Sequence, residues 1–252
     1  MEKHAEHMTK TDHKGILLEN LTWGEAEKVL KPDTVVVLPI GAATKEHGPH
    51  LKLKNDFLIA EFFKNEVVKR ADVVMLPTLN YHFYPAFVEY PGSVTLSFET
   101  SQNLVMDICK SLAKFGPKKF YVLNTGVSTV RPLKAAQEAL QKEGITMTYS
   151  NLSDILGPTE RAIAKQEGGT HADEIETSMM MVIAPETVDM KKAVKDYHLG
   201  EGPLTRDPKG KGTYSASGIW GDATLATKEK GQKVVDAYLQ GLLADISSLQ
   251  KQ

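Results

Sequence analysis

Residues 45–56 read KEHGPHLKLKND, and Glu46, His47, His50 and Asp56 fall within eleven positions there. Carboxylates and imidazoles are the donors that zinc or manganese takes where thiolates are absent. One carboxylate can also bridge two ions. Gly48-Pro49 supplies a turn that folds the segment back on itself. The pattern fits a metal-binding loop; it also fits a polar surface loop with two solvated histidines, and spacing alone leaves both open.

A second cluster is GGTHADEIETS, residues 168–178. His171 precedes a helix start, and Asp173, Glu174 and Glu176 fall in its first turn. Acidic residues at that place satisfy free N–H groups and the helix dipole without doing any chemistry. Glu176, however, leads through Thr177-Ser178 into a wholly apolar run. That predicts partial burial, and a buried carboxylate needs a partner such as a metal ion.

Other residues carry weaker signals. His82 lies among Tyr81, Phe83, Tyr84 and Phe87, as a pocket wall or as a hydrogen-bonded core histidine. Trp220, in GIWGD, either covers a substrate or fills an interface. His198 reads as exposed. Ser128 follows Gly126 but lacks the G-x-S-x-G elbow of a nucleophilic serine. There is no G-x-G-x-x-G and no Walker lysine motif.

The elements that must position these groups alternate. Residues 34–40, TVVVLPI, form a continuous β-branched and apolar run, which predicts a buried strand. Further strands are expected at 72–77, 119–124 and 145–150, with helices at 56–70, 101–115 and 131–143. This order predicts an α/β fold with right-handed crossovers and a mostly parallel sheet covered on both faces. Ligands in such sheets sit beyond the carboxyl ends of the strands, where the loops after Ile40 and Asn124 lie. A helix is expected at 174–183, an irregular segment at 184–222 and a closing amphipathic helix at 227–248. Residues 1–15, with three of the eight histidines (His4, His7, His13), read as a flexible tail, and 16–252 as one domain.

Composition narrows the partners. The chain has 252 residues, 41% hydrophobic, with 30 basic against 32 acidic side chains. No basic excess exists to neutralise a phosphate backbone, so nucleic acid is not an expected ligand. No apolar run reaches membrane-spanning length, and the N-terminus lacks a signal-peptide core. The single cysteine, Cys109, forms no intrachain disulfide and no thiolate metal site. A cytoplasmic location is the expectation, with no membrane partner.

Taken together, these segments resemble the creatininase (creatinine amidohydrolase) family, from Leu21-Thr22-Trp23 to the last helix. LENLTW followed by VVVLPIGA looks like the family opening. KEHGPHLKLKND is similar to its EQHGPHLPL-x-TD signature, YPGSVTLS to its FPGT segment, THADEIETS to its HA-x-x-x-ETS segment, and SGIWGDATLATKEKG to its late G-x-x-GD…AT-x-EKG segment. The resemblance implies a three-layer α/β/α fold, often a homohexamer, with a metal site at the carboxyl end of the sheet. It implies hydrolysis of cyclic amides or related C–N bonds with two divalent ions, zinc or manganese, bridged by the aspartate and a hydroxide.

By the same resemblance His47 is a ligand, Asp56 the bridging aspartate, Glu176 a further ligand, and His171 matches a histidine close to the catalytic centre. Imidazole chemistry makes His171 the expected catalytic residue, orienting substrate or shuttling a proton to the leaving nitrogen. The family's ligand Glu lies two positions before that histidine, where this chain has Lys45. The segment from Gly41 is one residue longer than usual, so a bulge is expected to bring Glu46 into place. After the third strand Gly126 stands at the family's metal-binding His, and Ser128 at the creatininase Glu. His50 or His82 would have to replace the lost ligand, and one or two ions per chain are expected. His50, His82, Tyr84 and Trp220 are the expected substrate contacts. The expected activity is metal-dependent amide hydrolysis on a small molecule; the alternative is a metal- or ligand-binding protein of the same fold without hydrolysis.

Overall fold

The computed structural model describes residues 13–252. Residues 1–12, and with them His4, His7 and most of the expected tail, lie outside the described residues. Gly15 is already part of the fold: it is buried, and its N–H donates to the Val68 carbonyl at 2.9 Å.

Five strands form one sheet: β1 (Ile16–Leu17), β2 (Val35–Ile40), β3 (Val74–Met75), β4 (Lys119–Asn124) and β5 (Thr146–Tyr149). Their order is β1-β3-β2-β4-β5, and every pairing is parallel. Seven helices accompany them: α1 (Trp23–Val29), α2 (Asn55–Arg70), α3 (Phe98–Ala113), α4 (Val130–Lys142), α5 (Leu152–Ile163), α6 (Glu174–Ile183) and α7 (Lys228–Gln250).

Side-chain alternation builds two cores. Val36, Leu38, Ile40, Phe120 and Val122 face α3 and α4, whereas Val35, Val37, Met75, Tyr121 and Leu123 face α2, α6 and α7. β2 is buried at all six positions, as a strand covered on both faces requires. The expected three-layer α/β/α architecture is therefore present.

Chain order sets the position of the site. The connection leaving β2 runs to β3 on one side of it, and the next runs back to β4 on the other. The crevice between β2 and β4 is thus a topological switch point. Ile40 and Asn124 are register partners, so the loops following them leave the sheet side by side.

Four elements differ from the sequence reading, the first being β1, an edge strand of two residues, too short to read as a run. The strand expected at 72–77 pairs only at Val74–Met75, with one isolated bridge further on, Ile40 to Leu79; Pro77 has no N–H to continue the ladder. α1 was not expected. None of its residues is fully buried and only Ala26 and Val29 pack partly against the core, too few to show a helical period, and a Thr22–Glu25 capping box starts it. α5 was also not expected, because Gly157-Pro158 lies inside it. Segment 184–222 is irregular as expected, with 3-10 turns and two-residue strands. Among the described residues no helix is long and apolar enough to cross a membrane.

Candidate metal centre

The loop after β2 turns back on itself. Lys45 N–H donates to the Leu53 carbonyl at 3.0 Å, and Phe57 N–H to the Ala42 carbonyl at 3.0 Å. This places Lys45, Glu46 and His47 against the first turn of α2, which carries Asn55 and Asp56. His47 and Asp56 are each 1% exposed. His47 Nδ1 donates to the Lys45 carbonyl at 2.9 Å, and its Nε2 lies 2.7 Å from Asp56 Oδ1 and 3.3 Å from Glu176 Oε1.

The three acids at the start of α6 have separate tasks. Asp173 Oδ1 caps the helix, accepting the N–H groups of Ile175 and Glu176 at 3.0 Å each. Glu174 accepts from the N–H groups of Lys165 and Gln166 and pairs with Lys230. Only Glu176 turns toward His47. Its carboxylate accepts from Asn55 Nδ2 at 2.9 Å and from Ala172 N–H at 2.7 Å. Ala172 is the one non-glycine residue with positive φ, 47°, among those described. That strain lies beside His171, a place where strained backbone serves to fix side-chain direction.

His171 completes the cluster. Its Nε2 donates to Glu46 Oε2 at 2.9 Å and approaches the Glu46 carbonyl at 3.0 Å, while Nδ1 lies 3.8 Å from Glu176 Oε2. Glu46 fits only because residue 218 is glycine. Gly218 has φ +85°, and a Cβ there would lie 2.0 Å from Glu46 Oε1. The His171 ring sits 4.3 Å from that of Phe87 and 5.0 Å from that of His47.

Electrostatics follow from this crowding. Burial alone would lower the His47 pKa, but Asp56 and Glu176 outweigh both burial and Lys45 and raise it to about 9. Burial would raise the Glu176 carboxyl; His47 foremost, then His171 and Lys45, hold it well below the usual range. Burial likewise opposes ionisation of Asp56, and Lys45 and His47 reverse that.

His47, His171 and Glu176 each offer a donor atom within 4.8 Å of the others. Asp56 touches this set through His47, and Glu46 through His171. Two imidazoles and carboxylates without thiolate suit zinc or manganese, and the residues present fit a divalent ion.

The cluster opens onto a cavity of about 540 Å³ walled by Lys45, Tyr84, Phe87, His171, Glu176 and Trp220. Trp220 is backbone-paired with His171, and its indole N–H donates to the His198 carbonyl at 3.0 Å. The expected substrate contacts therefore divide. Tyr84 and Trp220 line the cavity; His50 and His82 do not. His50 is buried and shares a hydrogen bond with Thr177 Oγ1 at 2.8 Å. His82 is fully buried under α3, where its Nε2 donates to the Ser101 carbonyl at 3.2 Å. Burial pushes both imidazoles down to about 4. Neither joins the three-donor set, so neither takes the place left at Gly126.

Gly126 lies in a closed turn: Asn124 Nδ2 donates to its carbonyl at 2.7 Å, and Thr129 Oγ1 donates to Asn124 Oδ1 at 2.5 Å. Sequence reading missed two functional positions. Asn55 orients Glu176, and Lys45 lies inside the cluster, its Nζ 2.7 Å from Asp56 Oδ2. The signal for Lys45 was present, a cation in a run of metal-ligand residue types.

A family model described as creatinine amidohydrolase matches residues 19–246. The chain is 25% identical to a creatinine amidohydrolase of Pseudomonas putida, over 91% of this chain and 95% of that one. It is 26% identical to a mycofactocin precursor peptide peptidase of Mycolicibacterium smegmatis, over 82% of each. Two solved creatininase structures, one described as a manganese form and one as a zinc–zinc form of a variant, share the fold. Their TM-scores are 0.76 and 0.75 at 24% identity, covering 93% of this chain and 98% of theirs.

Proposed function

The chain belongs to the creatininase family, and from that premise we propose that it is a metal-dependent amidohydrolase cleaving a C–N bond in a small cyclic or linear amide. The observation that carries this reading is the convergence of His47, Asp56 and the partly buried Glu176, with His171 beside them, at a cavity sized for a small molecule. The relatives point to hydrolysis but to different substrates, creatinine in one and a peptide in another.

In this reading His47, Asp56 and Glu176 would hold the ion, zinc first and manganese second. A divalent ion bound there supplies a water of lowered pKa and polarises a carbonyl. The chain's own residues do the rest. The Lys45 carbonyl fixes the His47 ring through Nδ1, and Asn55 and the Ala172 N–H fix the Glu176 carboxylate. Such supporting hydrogen bonds orient ligands and tune their basicity. Glu46 holds the His171 ring through Nε2. Imidazole is the usual carrier of protons near neutral pH, so His171 is assigned to orient the substrate and deliver a proton to the leaving nitrogen. Phe87, Tyr84 and Trp220 wall the reacting centre from water.

The test is a panel of lactams, cyclic ureides, formamides and short peptides, assayed with zinc and with manganese, beside a His171→Asn variant. Turnover of one class, lost in the variant, supports the assignment. Metal binding without turnover on any class favours the second reading, a binding protein of the same fold; the glycine at position 126 is the observation behind that reading. We also read the chain as a homo-oligomer, with a hexamer as the expected form. The exposed apolar side chains of Trp23, Phe115 and Leu199 (84%, 67% and 88% exposed) support association, and light scattering of the full chain tests it.

A further inference from the structure

Lys45 is only 5% exposed, and its ammonium faces the carboxylate at the heart of the cluster. Asp56 thus has two cationic neighbours. Oδ2 meets Lys45 Nζ at 2.7 Å, and Oδ1 meets His47 Nε2 at 2.7 Å. The aromatic rings of Phe87 and Tyr84 close over the ammonium, at 4.6 Å and 5.6 Å. We infer that this centre takes one divalent ion per chain and that the Lys45 ammonium supplies the second positive charge beside Asp56. The inference rests on the metal-centre reading above.

Charge is the first argument. Glu46, Asp56 and Glu176 bring three negative charges into the cluster, Lys45 returns one positive, and His47 is neutral once its Nε2 is a ligand and its Nδ1–H donates to the Lys45 carbonyl. The two negative charges left over match one divalent ion. Two such ions would leave a buried net positive charge even after a bridging hydroxide is counted, which is costly in a low-dielectric interior.

Donor supply is the second argument. An ion on the Oδ2 side of Asp56 would need ligands from the loop after β4. That loop offers Gly126, whose position adjoins the Tyr84 ring that also covers Lys45: a Cβ there would lie 3.5 Å from Tyr84 Cε1. The Asn124 amide is committed to the Gly126 and Ser150 carbonyls. The ammonium therefore occupies the side of Asp56 where, among the described residues, no second set of donors is found. An ammonium has three N–H donors and no acceptor, so Lys45 is a charge that needs no ligands from that loop.

The experiment counts ions. The full chain is stripped with chelator and titrated separately with zinc and manganese, with native mass spectrometry giving stoichiometry and calorimetry giving affinity. The unaltered chain is expected to saturate at one ion. Lys45→Glu is expected to bind its ion more tightly and, once Gly126→His adds a donor in the loop after β4, to accept a second. Lys45→Met, which keeps the side-chain length and removes the charge, is expected to bind its single ion about tenfold tighter or more. Cooperative thermal unfolding of each variant confirms that it is folded. Two ions in the unaltered chain would overturn the inference, as would a folded Lys45→Glu that keeps both count and affinity. An unaltered chain that binds neither metal would instead remove the metal reading on which the inference stands.

Discussion

Trp220 and His171 are cross-strand partners: Trp220 N–H donates to the His171 carbonyl at 2.9 Å, and His171 N–H donates back to the Trp220 carbonyl at 3.3 Å. The imidazole at the cavity floor is therefore held by the same backbone that presents the indole in the cavity wall. A change at the indole that spares the backbone bonds should separate substrate contact from metal chemistry. Trp220→Ala is expected to raise KM for the substrate about tenfold while leaving metal content unchanged. Steady-state kinetics on the amide class that turns over, with elemental analysis, checks both halves.

His47 and His171 should fail in different ways. His47→Asn removes a proposed ligand and is expected to weaken metal binding by about a hundredfold, a loss at the upper end of what even ligand-supporting residues show. His171→Asn is expected to retain the ion and lose about 10²- to 10⁴-fold in kcat, the range for a proton-transfer group. Equal loss of metal in both variants would place His171 among the ligands.

Gly218→Ala should destabilise the protein through two effects at one atom. The backbone there has φ +85°, which an alanine adopts only with strain, and its Cβ would enter the space of the Glu46 carboxylate. A loss of more than about 1 kcal/mol is expected, which for a chain of this size lowers Tm by roughly 2–4 °C or more. Calorimetry measures it. Because Glu46 holds His171, kcat should fall as well.

Stability of the metal-free protein should peak near pH 6.5. Below that value the unfolded chain binds more protons than the folded one at His50 and His82, whose folded pKa values lie at about 4. Their contribution is complete above the ordinary imidazole value and is lost as pH falls toward 4. His47 runs the other way. With a folded pKa near 9 it contributes fully below 6.5, and that contribution disappears as pH rises through 9. Melting curves in chelator from pH 4 to 10 should show both limbs. A plateau from 6.5 to 9 would contradict the assignment of a charged His47.

Legibility varied with how local the controlling interaction is. β2, β4 and α6 were readable because an apolar run or an acidic first turn fixes each of them. α5 was hidden by Pro158, since its residues are committed by packing against α7 rather than by propensity. In the site, His47, Asp56 and Glu176 converge as the family likeness implied, where spacing alone leaves a metal loop and a solvated surface loop both open. The expectation that His82 would contact substrate came from its aromatic neighbours; its real environment is set by Ser101 on α3, which no local pattern reveals. The Glu46 carboxylate does lie in the cluster, but on His171 rather than on Asp56. That depends on Gly218, far along the chain.

The centre draws on residues 45–56, on 171–176 and on the glycine at 218, and α7 packs behind α6. No short piece of this chain holds the full donor set. Metal acquisition is thereby deferred to the end of biogenesis: a nascent chain emerging from the ribosome has His47 and Asp56 long before it has Glu176 or the turn that seats Glu46. Early-synthesised segments are poor chelators, and the ion rewards only the finished molecule. Retention of metal is thus a reporter of complete chain assembly, and truncation between the end of β5 and the last helix should register as metal loss while all five strands of the sheet are still present.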